Sequence, residues 1–233
     1  MGEKFLIFGL GQTLINKWKF IKYFDKRVFE QMNGFGARID FKNYMTLRND
    51  IIQTRKILTE SFEELISEIC KLTLPIGYEK IILRRIQSEL SDKEKKYSYV
   101  SSNVRKILEK LSEDHSLGII SYNSTESIEL LKREEIYDFF EFIFNVSGMN
   151  NSKADERVIL CLVKQKNIIT SNCVMIGDRL NTDIYYGNRL GMNTIRITDS
   201  IFSLQSPRNS YEIPCFTVKN LKEALKIIKN LYS

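Results

Sequence analysis

Cys173-Val174-Met175-Ile176-Gly177-Asp178-Arg179-Leu180-Asn181-Thr182-Asp183 passes from an apolar run, through a glycine, into a polar loop carrying two aspartates. The apolar run is too short for a helix and is closed by glycine, which predicts a buried strand. Asp183 to Leu190 then predicts a helix, and Thr194-Ile195-Arg196-Ile197 the next strand. Strand, helix and strand in succession make a crossover unit, which pairs its strands in parallel.

The same rhythm extends outward in both directions. Upstream, Leu117-Gly118-Ile119-Ile120-Ser121 and Phe142-Ile143-Phe144 predict strands. Helical stripes lie between and around them, at Val104, Ile107, Leu108 and Leu111, at Ile128, Leu130 and Leu131, and at Val158, Ile159, Leu162 and Val163. Leu221, Leu225, Ile228 and Leu231 predict a last helix, and Phe5-Leu6-Ile7-Phe8 a first strand closed by Gly9-Leu10-Gly11. The fold class read from this alternation is α/β, a doubly wound parallel sheet. From about Asn16 to Ser91 the rhythm is helical only. Ser61-Phe62-Glu63-Glu64 is a capping box there, followed by Phe62, Leu65, Ile66 and Ile69 at helical spacing. The domain reading is a core of residues 1–15 and 97–233 with a helical insert at 16–96.

Sheets of this kind bind ligands where the strands end. That singles out Gly9 to Thr13, Ser121 to Asn123, and Gly177 to Asp183. In this order they resemble the haloacid dehalogenase (HAD) superfamily over nearly the whole chain. The family's first motif is a strand followed by Asp-x-Asp-x-Thr-Leu, and here it is Phe8-Gly9-Leu10-Gly11-Gln12-Thr13-Leu14. Its second is a strand ending in a hydroxyl residue, here Ile119-Ile120-Ser121-Tyr122-Asn123. Its third is a lysine opening a helix, here Ser152-Lys153-Ala154-Asp155. Its fourth is Gly-Asp-x-x-x-x-Asp, the stretch quoted at the outset. The helical insert resembles the family's cap, which closes over the site and selects substrate.

The resemblance implies roles. In the family the first aspartate attacks the substrate and forms a covalent intermediate. The second, where present, is the general acid and base. Gly9 stands at the nucleophile position and Gly11 at the acid/base position, so both side chains are lost. Branches such as the dehalogenases lack the second aspartate, so Gly11 is compatible with activity, whereas Gly9 removes both the attacking group and one magnesium ligand. Thr13, Ser121, Asn123 and Lys153 match phosphate-binding positions, Lys153 also serving as the catalytic cation. Asp178 and Asp183 match the metal positions, and the implied cofactor is Mg2+, weakened by the missing carboxylate at position 9. Asp25 is no stand-in nucleophile, since it falls on a helix of the insert.

Simpler readings stand beside these. The glycines also begin a dinucleotide fingerprint, but its third glycine would fall at Leu14. His115 lies in a polar turn before a strand, at the wrong strand end for catalysis. Trp18, Phe20, Tyr23 and Phe24 read as core of the helical insert rather than a substrate cage.

The net charge of +6 favours anionic ligands, or reflects a lysine-rich surface. The lysines are dispersed, so nucleic acid is not indicated. No run approaches a membrane span, the first apolar run is too short for a signal peptide, and Leu6 breaks a myristoylation motif at Gly2. Four cysteines, Cys70, Cys161, Cys173 and Cys215, stand far apart, three of them in apolar runs, which fits reduced thiols and a cytoplasmic setting. The expected function is a HAD-like protein impaired as a phosphatase that retains a site for a small anionic or phosphorylated ligand, with a protein partner if its role is regulatory. The alternative is an active Mg2+-dependent phosphohydrolase or dehalogenase-like hydrolase, with Gly9 engineered or bypassed by another nucleophile. A purely structural, partner-binding role would leave the cleft without a ligand.

Overall fold

The computed structural model describes residues 4–57, 61–121, 125–145, 160, 163–166 and 168–232. The chain forms two compact units, residues 17–98 and the remainder on either side of them.

The larger unit is built on a six-stranded sheet, every pairing parallel. Its strands are β1 (Phe5–Phe8), β2 (Ser116–Ser121), β3 (Phe142–Asn145), β4 (Cys173–Gly177), β5 (Asn193–Ile197) and β6 (Phe216–Val218), in the order β3-β2-β1-β4-β5-β6. This is the doubly wound α/β class expected. Alternation along β1 explains why both faces are covered. Leu6 and Phe8 join one buried cluster with Leu108 and Leu111, Leu130 and Leu131, and Ala224 and Ile228. Phe5 and Ile7 join another, with Ile120, Met175 and Met192. Successive side chains of a strand point to opposite faces, so a continuous apolar run can serve only a strand buried on both.

In the helical unit, α1 (Trp18–Gly34), α2 (Phe41–Gln53), α3 (Phe62–Thr73) and α4 (Tyr78–Tyr97) follow in order. Their starts are chemically marked. The Asp40 carboxylate accepts from the Asn43 amide at 2.7 Å, and the Ser61 hydroxyl from the Glu64 amide at 3.1 Å. Phe20 and Phe24 are buried and both pack their rings on Phe62, so these two are core, as the sequence reading has it. Trp18 and Tyr23 are only half-buried. Asp25 is buried on α1, in a two-point ion pair with Arg48: Nη2 donates to Oδ2 at 2.9 Å and Nε to Oδ1 at 3.2 Å. It is thereby ruled out as a free nucleophile.

The remaining helices of the larger unit are α5 (Ser102–Ser112), α6 (Thr125–Arg133), α7 (Tyr185–Arg189) and α8 (Leu221–Tyr232). Two features depart from the sequence reading. A π-helical turn, Leu180–Ile184, precedes α7, so Asp183 lies in that turn rather than at the start of an α-helix. The sixth strand was not anticipated, because Phe-Thr-Val is too short to signal itself. The expected helix around Val158 to Leu162 lies largely outside the described residues.

Cys70 and Cys173 are buried thiols, each pushed up to about 12 by burial, and Cys215 is exposed. Cys161 lies outside the described residues. No helix among the described residues is long and apolar enough to cross a membrane.

Candidate active site

The order of the sheet reverses beside β1. From β1 the chain moves to β2 and β3 on one side, then crosses to β4, β5 and β6 on the other. Adjacent loops therefore leave in opposite directions at the β1–β4 boundary, which opens a crevice at the carboxyl ends. Phe8 is level with Ile176 on β4 and with Ile119 on β2. The next residues along are Gly9 and Gly177, side by side, with Ser121 at the end of the neighbouring strand. The Gly9 amide donates to the Ile176 carbonyl at 2.8 Å, extending the ladder into the loop.

Three sequence-predicted positions meet here. The Asp183 carboxylate is wedged between the two glycine backbones. A Cβ built on Gly177 would lie 2.0 Å from Asp183 Oδ2, which only glycine permits. A Cβ built on Gly9 would lie 2.9 Å from the same oxygen. The π-helical turn aims this carboxylate inward, and such turns recur at functional sites. The Arg179 amide donates to Asp183 Oδ2 at 3.1 Å, and the Thr182 hydroxyl to Oδ1 at 3.4 Å. Asp183 is only 4% exposed and Asp178 3%. Two carboxylates buried to that degree need compensation by hydrogen bonds or positive charge.

Asp178 has a partner that the sequence did not reveal. The Ser200 hydroxyl, on the loop after β5, donates to Asp178 Oδ2 at 2.5 Å. Ser200 lies 22 residues away, at the end of a different strand, and no local motif signals that contact.

Ser121 is buried at the end of β2. Thr13 is also buried, and its hydroxyl makes no hydrogen bond among the described residues. A buried hydroxyl without a partner costs about 1–3 kcal/mol, which a ligand oxygen accepting its proton would recover. Gly11 is half-buried and pairs through its backbone with Ile15. Asn123 and Lys153 lie outside the described residues. His115 is in the turn before β2, at the opposite end of the strands from this crevice. Burial holds its imidazole below the ordinary range.

A divalent cation fits this donor set in part. Asp178 and Asp183 supply hard oxygen ligands, and Mg2+ is commonly held by one or two carboxylates together with water and phosphate oxygens. The third carboxylate would come from position 9, where there is none. No group of three or more acidic, histidine or cysteine side chains suited to a metal occurs among the described residues.

Comparison with known proteins agrees with the strand-end pattern. The chain is 24% identical over 229 residues to a glyceraldehyde 3-phosphate phosphatase of Methanocaldococcus jannaschii, covering 98% of each. Its fold matches the haloacid dehalogenase-like family hydrolase SP0104 of Streptococcus pneumoniae, with a TM-score of 0.66 and 16% identity over 97% of this chain and 98% of that one. It also matches a structure of YfnB from Bacillus subtilis bound to magnesium, with a TM-score of 0.63 and 17% identity over 98% of this chain and 100% of that one. The family model described as haloacid dehalogenase-like hydrolase matches residues 6–197. The match spans the first strand, the helical unit and the Asp178–Asp183 loop, and the chain belongs to the haloacid dehalogenase-like hydrolase family.

Proposed function

We propose that this chain is a haloacid dehalogenase-like protein that binds a small phosphorylated ligand at the carboxyl ends of its strands and does not turn it over through a covalent intermediate. The carrying observation is Gly9. It is buried at the tip of the central strand, tied to Ile176, with a carboxylate against its backbone. A glycine there offers no atom that can attack phosphorus. Losing a covalent nucleophile removes many orders of magnitude in rate, and what remains comes from positioning and electrostatics.

The rest of the site supports binding. Ser121 and Thr13 are hydroxyl donors for phosphate oxygens, and Thr13 is without a protein partner among the described residues. Asp178 and Asp183 would hold Mg2+, which when bound neutralises phosphate charge. Asn123 and Lys153 are assigned to the phosphate by their place in the motif. The helical unit would act as the cap that selects the ligand. Relatives named for glyceraldehyde 3-phosphate make a triose monophosphate the first ligand to try. A cytoplasmic setting and a regulatory protein partner belong to this same reading.

A second reading is favoured by one observation: both aspartates of the fourth motif remain in place and buried. On that reading the chain is an active Mg2+-dependent phosphohydrolase in which another group replaces the position-9 carboxylate. Calorimetric titration with glyceraldehyde 3-phosphate and Mg2+, combined with a phosphate-release assay, separates the two. Binding without release is expected. Release in repeated turnovers by the purified chain would establish the second reading, and the lack of any binding would rule out a triose monophosphate as the ligand on either.

A further inference from the structure

The loop after β5 is built against the aspartate loop after β4. Arg196, buried on β5, donates through Nη2 to the carbonyls of Phe202 at 2.8 Å and Gln205 at 3.1 Å. Those two bonds fold residues 198–205 into a closed turn. Within it, Ser200 is 2% exposed, and its hydroxyl oxygen accepts from the Phe202 amide at 3.1 Å. That bond orients the hydroxyl while its proton goes to Asp178 Oδ2. The Phe202 ring carries the Arg179 guanidinium 4.6 Å from its centroid, so the residue after Asp178 is pinned to the same turn. Burial of Ile201 and Phe202 anchors the same turn from its apolar side. A buried arginine and a cation–π contact thus fix the turn, and from it the Ser200 hydroxyl alone reaches the Asp178 carboxylate.

The geometry points to Ser200 as a positioning residue for Asp178, holding Oδ2 so that the carboxylate presents a set orientation to a divalent cation. This rests on the reading above that Asp178 is a cation ligand. Ser200 touches the ligand-bearing side chain and not the ligand, and it acts through Asp178. Hydrogen bonds of this kind to metal-binding carboxylates typically govern affinity by about 10–100-fold. Arg196 serves the same end one step further out, by holding the turn that carries Ser200.

The test is Mn2+ binding by the full chain, followed by electron paramagnetic resonance, in the parent and in Ser200→Ala and Ser200→Thr. Thermal unfolding of each protein without metal is measured alongside. The expected result is an Mn2+ affinity at least about tenfold weaker in Ser200→Ala, restored by Ser200→Thr, which keeps the hydroxyl. Should Ser200→Ala not fold, Ser200→Cys, with a weaker donor of similar size, takes its place in the comparison. A lower melting temperature with unchanged Mn2+ affinity would mean that Ser200 only caps its turn, and would overturn the assignment while leaving the retained cation site intact. No Mn2+ binding by the parent chain would overturn the cation site itself and this assignment with it.

Discussion

At the scale of single residues, the site turns on two glycines and the carboxylate between them. Gly177 is a steric requirement. An alanine there would place its Cβ 2.0 Å from Asp183 Oδ2 and 2.4 Å from Asp183 Cβ. The Asp183 side chain would have to leave its seat, so Gly177→Ala is expected to lower stability by about 3 kcal/mol, measured by chemical denaturation. Gly9 is different. The overlap is smaller: a new Cβ would lie 2.9 to 3.3 Å from the Asp183 carboxylate, which must shift slightly to admit it. The cost of Gly9→Asp is electrostatic, since it sets a second carboxylate beside a buried one. Without divalent cations the variant should melt below the parent, and Mg2+ should raise its melting temperature more than it raises the parent's. Equal shifts in thermal scans would show that position 9 does not face the cation. That Gly9, Gly177 and Asp183 lie together was legible in the sequence, because residues at neighbouring strand ends converge whatever the details of packing. Ser200 was not legible, because its contact with Asp178 depends on how a separate loop folds back.

At the scale of elements, the loop from Gly9 to Ile15 carries a conformational penalty. Gln12 adopts a φ of 58°, the left-handed region, and its amide donates to the Ile15 carbonyl at 2.9 Å to close the turn. A residue with a Cβ pays roughly 1–2 kcal/mol in that region, part of which glycine returns as unfolded-state entropy. Gln12→Gly is therefore expected to stabilise the chain by about 0.5–1 kcal/mol, read as a raised denaturation midpoint with unchanged slope. A loss of stability would mean that the Gln12 side chain contributes more than its backbone strain costs. Elements with strong apolar runs or caps were readable, including β1, β2, β4, β5 and the Ser61-capped α3. The elements missed lack any such signal. Phe216–Val218 gains strand character only by pairing with β5, and the π-helical turn at Leu180–Ile184 follows from how Asp183 is seated between glycines.

At the scale of the molecule, each unit buries charge as well as apolar side chains. The sheet unit buries aliphatic and aromatic side chains on both faces. The helical unit also buries an ion pair, Asp25 with Arg48, to which the Tyr44 hydroxyl adds a hydrogen bond at 3.3 Å. Burial raises the Asp25 carboxyl above its ordinary range, while Arg48 and Tyr44 pull it down. Arg48→Met leaves the carboxylate buried without its counter-charge and is expected to cost about 3–5 kcal/mol near neutral pH. Its carboxyl would then rise further, so the folded state would hold a proton that the unfolded state releases. Stability of the variant should accordingly increase as the pH falls from the raised folded value towards the unfolded one near 4. Unfolding curves at several pH values would show this, and a variant equally destabilised at all of them would contradict it.

On the proposed reading, the carboxylate missing at position 9 separates a binding site from a catalytic one. The most direct measurement is hydrolysis of glyceraldehyde 3-phosphate with Mg2+ by the parent chain and by Gly9→Asp, purified in parallel. Turnover by the variant alone is the predicted result. Sustained turnover by the parent, surviving rigorous purification and unimproved by the substitution, would contradict the claim and place the nucleophile elsewhere.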